Sequence, residues 1–438
     1  MSRRPSQLSD VRAARRPAGK FKGISGHSTY GQTLFNAIAI LLGIGMLSEP
    51  LAFAYAGWIG GTAIIVFYGW ITCYTAKILA HIILDDPRMR SYSDIGKKAF
   101  GPRSGSWISA LFCLELFTVS VALVTLYADS LHAVMPEYSP DTYKLIALIF
   151  LIPTMILPLS VLSYTSILGI LSTLFIIAVV VIDGLAKRES PGSLWEPAPT
   201  RVGIRSPLHL GVAFGLFMAG FSGHAVVPSL VRDMIDPTQF DKMITQAFIV
   251  ATSLYGIIGV AGYTMFGNAV SEEFSQDIAL YSPFPVLNKI ALWGLVISPL
   301  SKFALATRPL NLTLEMMLGI DSGSGTNDDY GAKPSMHDLE APHSSAPIRR
   351  HRARHGLLTL VERALFTLCS VTVSIFLPDF SSMMAFLGAF TSFLLCIIGP
   401  VSAKAALTGR CTFWDGCLIA GGVVMATWGT IASFWSMQ

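Results

Sequence analysis

Gly43-Ile44-Gly45-Met46-Leu47-Ser48-Glu49-Pro50 and Ala219-Gly220-Phe221-Ser222-Gly223-His224-Ala225-Val226-Val227-Pro228 are the two stretches whose reading decides how this chain is built. Each lies inside a long apolar run and combines glycines with a downstream proline. Proline removes a backbone donor and clashes with the turn before it; glycine lets the chain leave the helix. Unwound backbone at membrane depth survives only where it lines a cavity or is covered by protein. A single break of this kind reads first as a packing kink, since glycine and proline are common in membrane helices. Two breaks, each in the first run of a block of five, predict inverted repeats with a binding site between them.

The composition agrees with a membrane chain. The 438 residues are 52% hydrophobic and only 13% charged, with a mean hydropathy of +0.57. A soluble domain carries about 25% charged residues, so a soluble globule is excluded, as are a disordered chain, collagen and a small disulfide scaffold. The net charge of +4 is spread over short loops and a tail, with no basic domain for nucleic acid. Cys73, Cys113, Cys369, Cys396, Cys411 and Cys417 form no C-x-x-C and no His/Cys cluster. Neither a metal site nor a disulfide framework is therefore expected.

A span takes about 20 apolar residues. Eleven helical spans are predicted, at 31–56, 58–84, 106–135, 143–161, 163–187, 207–235, 241–266, 286–309, 356–377, 380–406 and 411–436. The expected organisation is a disordered basic tail (1–30), a first five-helix repeat (31–187) and a loop (188–206). A second repeat follows, divided into 207–318 and 356–406 by a disordered linker (319–355), and an eleventh helix (411–438) completes the chain. The tail lacks the short apolar core of a signal peptide. Little chain remains for an extramembrane catalytic domain, and no enzyme is expected.

Lysine and arginine set the orientation. With the N-terminus in the cytosol, 22 of the 31 basic residues fall on cytosolic segments or their edges and six on the other side. The C-terminus is then lumenal or extracellular. Arg349, Arg350, Arg352 and Arg354 end the linker beside a span, where they suit an anionic lipid surface.

Breaks of this kind present half-helix N-termini to a carboxylate and freed carbonyls to an ammonium or a cation. An α-amino acid carries both charges on adjacent atoms and suits such a site.

Four stretches carry a family resemblance. They are Asn36 through Gly43–Pro50 to Gly57-Trp58; Tyr92-Ser-Asp94-Ile-Gly96-Lys-Lys-Ala-Phe100-Gly101 with Leu114-Glu115-Leu116; Ser222–Pro228 with Met234-Ile-Asp236-Pro237-Thr-Gln-Phe240; and Ser298-Pro299-Leu-Ser301-Lys302-Phe303-Ala304-Leu305. The chain resembles the amino acid/auxin permease family, in particular its vacuolar amino-acid transporter branch, which also includes vesicular inhibitory amino-acid transporters. The resemblance implies an all-α, LeuT-type 5+5 inverted repeat plus one helix. It also implies proton-coupled transport of neutral amino acids, with protons as the coupling ion and no cofactor. Glu49 departs from the pattern, in which the residue before this proline is usually small or apolar.

The candidate substrate contacts are Asn36, Gly43, Ile44, Gly45, Met46, Ser48, Phe221, Ser222 and Gly223. The candidate ion-coupling residues are Glu115, His224, Ser301 and Lys302. Ionisable groups at membrane depth are costly and commonly functional. Glu115 reads as a site residue or as a partner for a polar group on another helix. Sodium-coupled relatives of this fold hold sodium near the position of Ser301 and Lys302; an ammonium would replace that cation and, when buried, can release a proton. His224 has an ordinary titration range near pH 6.5 (about the value of free imidazole) that suits an acidic lumen; the alternative is a packed, hydrogen-bonded histidine. Glu49 reads as a gating carboxylate or as a group facing a water-filled vestibule. Lys77, Asp129, Asp183 and Asp379 lie near span ends and read as interfacial.

Two signals are set aside. His81 and Asp86 have an acyltransferase-like spacing but no companion motif, and Asn311-Leu312-Thr313 is a glycosylation sequon on the cytosolic side. The expected protein is a monomeric secondary transporter in a lipid bilayer, with an amino acid as its small-molecule partner and the vacuolar or another endomembrane as its location. Antiport is the leading mode. The alternatives are a sensor with little flux and a plasma-membrane symporter.

Overall fold

The computed structural model describes residues 26–86, 88–155, 159–188, 192–281, 283–317, 345–377 and 379–436, with side chains described for all of these except 159–166, 316–317 and 345–355. Among them there is no strand, only one isolated bridge between Ser28 and Met234. The helices are α1 (Tyr30–Leu41), α2 (Glu49–Asp85), α3 (Tyr92–Phe100), α4 (Ser104–Val134), α5 (Pro140–Thr154), α6 (Leu159–Ala186), α7 (Pro207–Gly220), α8 (Val227–Asp233), α9 (Phe240–Phe266), α10 (Phe274–Leu280), α11 (Pro285–Met317), α12 (Ser345–Phe376), α13 (Phe380–Phe386), α14 (Gly399–Thr408) and α15 (Phe413–Ser436). A π-helix (Leu387–Ile398) joins α13 to α14, and short 3-10 turns (Ile44–Ser48 and His224–Val226) follow the two breaks.

Nine helices of the described residues are long and apolar enough to cross a membrane. The first of these runs for 42 residues, Ile44–Asp85, and holds the second half of the crossing that α1 begins together with the whole of the next. At Gly57 the backbone takes φ 71°, a conformation that side chains disfavour. There the chain leaves one span and begins the next, tied to the 192–206 loop by Trp58 N–H to Arg201 O (3.2 Å) and Ile59 N–H to Val202 O (3.2 Å). Helix α5, with 15 residues, falls short of a full span by length alone. The Gly57 turn and α5 mark, among the described residues, the places of the two expected crossings beyond these nine.

The crossings alternate between two faces. Tyr30, Ser104 and Met317 lie on the N-terminal face; Gly57, Val134 and the 192–206 loop lie on the other. Two expected boundaries need correction. Residues 26–29 belong to no disordered tail: Ser28 N–H donates to Asp233 O (2.8 Å) and Ile235 N–H to Ser28 O (3.0 Å), pinning the entry to α1 against the end of α8. Helix α12 begins at Ser345, so the arginines assigned to the linker sit on its first turns. The tail before residue 26 and the linker over 318–344 lie outside the described residues.

Two apolar clusters form the interior. The larger gathers α1, α2, α7, α9 and the π-helix around Phe53, Tyr68, Phe217 and Phe393. The smaller joins α4, α5, α11 and α12 through Leu123, Tyr127, Phe303 and Val371. Large apolar side chains such as Ile59, Trp107, Ile149 and Ile249 are exposed around the outside, as hydrocarbon contact requires. Buried Lys144 of α5 donates to Ser374 O of α12 (2.9 Å) and pairs with Asp141 (3.1 Å). On the face away from the N-terminus, Glu273 beside α10 meets the carboxyl group of Asp129 on α4 and accepts from the Ser130 (3.5 Å) and Ser275 hydroxyls.

Candidate functional site

Helix α1 starts cleanly because Thr29 and Gln32 cap it reciprocally. It stops at Leu41, where Gly43 N–H turns back onto Leu41 O (2.6 Å). Helix α7 stops at Gly220, and Gly223 takes φ 148° before the chain recoils. The two breaks touch: a methyl group added to Gly45 would fall 2.8 Å from the Gly220 Cα. Both expected breaks are thus present and adjacent.

Between them lies a cavity of about 440 Å³, within the size range of small-molecule sites. Gly43, Ile44 and Gly45 line it from the first break, and Gly220, Ser222 and Gly223 from the second. Glu115 enters from α4 and Lys302 from α11. The remaining wall is apolar, including Ile40, Val119, Leu305 and Leu387.

Two charged groups of opposite sign thus face one space. Glu115 is 5% exposed and accepts the Ser222 hydroxyl. The Lys302 ammonium donates to Leu42 O (3.4 Å), a carbonyl freed by the first break. Tyr255 of α9 joins the breaks: its hydroxyl reaches Leu41 O and, at 2.8 Å, Gly220 O. Nothing in the sequence singles out Tyr255, because a tyrosine in an apolar helix ordinarily reads as packing.

Other candidates lie elsewhere. Asn36 is exposed, one turn before Ile40 on α1, and does not line the cavity. Met46 and Ser48 are turned into the protein, and the Ser48 hydroxyl donates to Gly45 O (3.0 Å). Phe221 packs edge-on against Tyr255, with ring centroids 5.4 Å apart, and stacks on Phe248. His224 is held by Thr72 O and the Thr75 hydroxyl, each at 3.0 Å, and borders only a small void of about 20 Å³. This is the packed, hydrogen-bonded arrangement. Ser301 donates to Ser298 O (2.8 Å) beside Lys302.

The vestibule reading of Glu49 does not hold in this conformation, for Glu49 is fully buried. Asp183 is also buried, beside Asn288, rather than interfacial. Asn311 is buried within α11, out of reach of glycosylation. His81 pairs with Asp241 (2.9 Å), whereas Asp86 is held by Arg88 and Lys98, whose hydrogen bonds keep its carboxyl below the usual range. The acyltransferase-like spacing therefore forms no dyad. Among the described residues no three His, Cys, Asp or Glu side chains gather as metal ligands would.

A sequence model of the family described as transmembrane amino acid transporter protein matches residues 26–437. Amino acid transporter AVT1D of Arabidopsis thaliana is 27% identical over 430 residues, 92% of this chain and 69% of that protein. Amino acid transporter AVT1B of the same plant is 29% identical over 400 residues, covering 86% of this chain. The chain spans 64% of the length of that second relative. Among solved structures, a substrate-bound, outward-open Na+-coupled sialic acid symporter superposes with a TM-score of 0.52 at 14% identity, covering 92% of this chain and 89% of its own. At that identity the likeness concerns the fold, and the fold is LeuT-type. The relatives are named as transporters, not enzymes.

Proposed function

Because the chain belongs to the transmembrane amino acid transporter family, we propose that it is a proton-coupled secondary transporter of neutral amino acids in an endomembrane, most simply the vacuolar one. The observation that carries this reading is the shared cavity between the breaks, with Glu115 and Lys302 both on its wall. An α-ammonium finds the Glu115 carboxylate and freed carbonyls; an α-carboxylate finds the unwound Gly43–Gly45 backbone and the Lys302 charge. The apolar remainder takes an uncharged side chain, and no further acid or base stands ready for a charged one.

The Lys/Arg bias puts the N-terminal face in the cytosol, where the antiport cycle takes up its substrate. Loading a substrate here and releasing it into an acidic lumen in exchange for protons is antiport. The test is uptake into proteoliposomes with an imposed pH gradient, screening the twenty amino acids. Saturable uptake of neutral amino acids into vesicles with an acidic interior is expected. Uptake driven only by an acidic exterior would instead identify symport, and binding with no flux would identify a sensor.

Glu115→Gln removes one charge-assisted hydrogen bond to the substrate, worth about 1.5–3 kcal/mol. The expected result is a KM raised roughly 10- to 100-fold, measured in the same vesicles. An unchanged KM would place Glu115 outside substrate recognition.

A further inference from the structure

Glu49 is the first residue of α2, directly after the 3-10 turn of the first break. It is fully buried, and neither carboxylate oxygen has a hydrogen-bond partner. Its surroundings are tightly drawn. A methyl group on Gly220 would lie 3.0 Å from Glu49 Oε1 and 3.0 Å from the Tyr255 ring; one on Gly259 would lie 3.5 Å from the Glu49 Cβ. The carboxyl group therefore sits behind Gly220, and Gly220 is itself part of the cavity wall.

Among the described residues no cation comes to meet it. From α9 the titratable neighbour is Tyr255, whose hydroxyl is committed to the Leu41 and Gly220 carbonyls. The end of α7 brings Ala219 and Gly220, and α13 (Phe380–Phe386) has no ionisable residue. On the α10 side, Asp277 is bonded to Ser271 and Glu273 to Ser130 and Ser275. Along α2 the next ionisable group, Tyr55, packs on His209 and lies beneath Arg205. The positive end of α2 favours an anion, but a helix terminus offsets only a small part of what an unpaired, desolvated carboxylate costs.

We propose that Glu49 carries a coupling proton: it is protonated in the conformation described here and gives the proton up in conformations that hydrate it. The assignment rests on the transport reading above. The segments around Glu49 are the two breaks, which must rearrange as the cavity opens to one face and then to the other. A group whose proton occupancy differs between two conformations links their equilibrium to pH, and the link is reciprocal. The other acidic and basic candidates are differently placed. Glu115 already holds a hydroxyl donor at the cavity wall, Lys302 a carbonyl, and His224 both Thr72 and Thr75.

The test uses the full chain in proteoliposomes, with radiolabelled alanine, leucine and glutamine as probes. Two quantities are compared: exchange without any gradient, and accumulation driven by a pH gradient. Glu49→Gln should keep exchange within about threefold of the unmodified protein while losing at least tenfold in gradient-driven accumulation, and its exchange should no longer vary with pH. Glu49→Met should fold and behave alike, since the site accepts an uncharged side chain. Undiminished gradient-driven accumulation by Glu49→Gln would overturn the assignment. So would failure of both variants to fold, because the site would then require the charged form. Absence of exchange in the unmodified protein would instead sink the transport reading, and this assignment with it.

Discussion

Lys302→Ala is expected to cut gradient-driven uptake sharply while leaving the protein folded. The Lys302 ammonium lies on the cavity wall and donates to Leu42 O at 3.4 Å. Leu42 follows the last helical turn of α1, so its carbonyl lacks the helical partner it would otherwise have. Alanine removes both the charge and the donor. A hydrogen bond to a charged group is worth about 1.5–3 kcal/mol, and a carbonyl left without one at this depth adds to the loss. Uptake should fall by about 10- to 100-fold or more. Lys302→Met keeps the length of the side chain and separates charge from volume. If Met restores uptake, the ammonium has no part in the cycle and the packing of the Lys302 stem explains the alanine result.

Gly388→Ala should damage the fold itself. The added carbon would collide with Gly215 O and lie 2.6 Å from Ala219 N. All of these are backbone atoms of α7, and backbone cannot rotate aside as a flexible side chain can. Gly215 is equally close to Ala385 across the same crossing. Helix α7 is the one that ends at the second break, so pushing it from the π-helix also moves the cavity wall. Overpacking costs typically 1–3 kcal/mol where side chains can adjust; here roughly 3 kcal/mol or more is expected. Thermal unfolding followed by size-exclusion chromatography measures it. Gly421→Ala is the matched control: no atom lies within 4 Å of its added carbon, so it should be neutral or slightly stabilising. Equal melting temperatures for the two variants would show that the α7 crossing is looser than described.

The sequence displays the breaks because glycine and proline act locally: their effect on the backbone is independent of what packs against them. The spans are legible for the same reason, since length and apolarity suffice. Glu115 and Lys302 stand out because charge at membrane depth is rare. Direction is not legible. Ser48 and Met46 lie within the first break, yet its 3-10 turn sends them away from the cavity, and periodicity gives no warning of a local change in helical pitch. Tyr255 and the Thr72–Thr75 pair around His224 come from helices distant in sequence, each residue ordinary in its own surroundings. The start of α12 at Ser345 escapes a hydropathy reading because its first turns are basic.

The carboxyl pair between α10 and α4 carries a practical consequence for handling the protein. Burial and the neighbouring Asp129 charge push the Glu273 carboxyl well above its ordinary range. The folded protein therefore binds protons that the unfolded chain releases. That contribution to stability is fully present below the ordinary carboxylate range and is lost as pH rises through the raised one. Detergent extraction in mildly acidic buffer should then preserve the contact of α10 with α4 better than the alkaline buffers often chosen for membrane proteins. A melting temperature that falls with rising pH in the unmodified protein, and less steeply in Glu273→Gln, would give the purification its working pH.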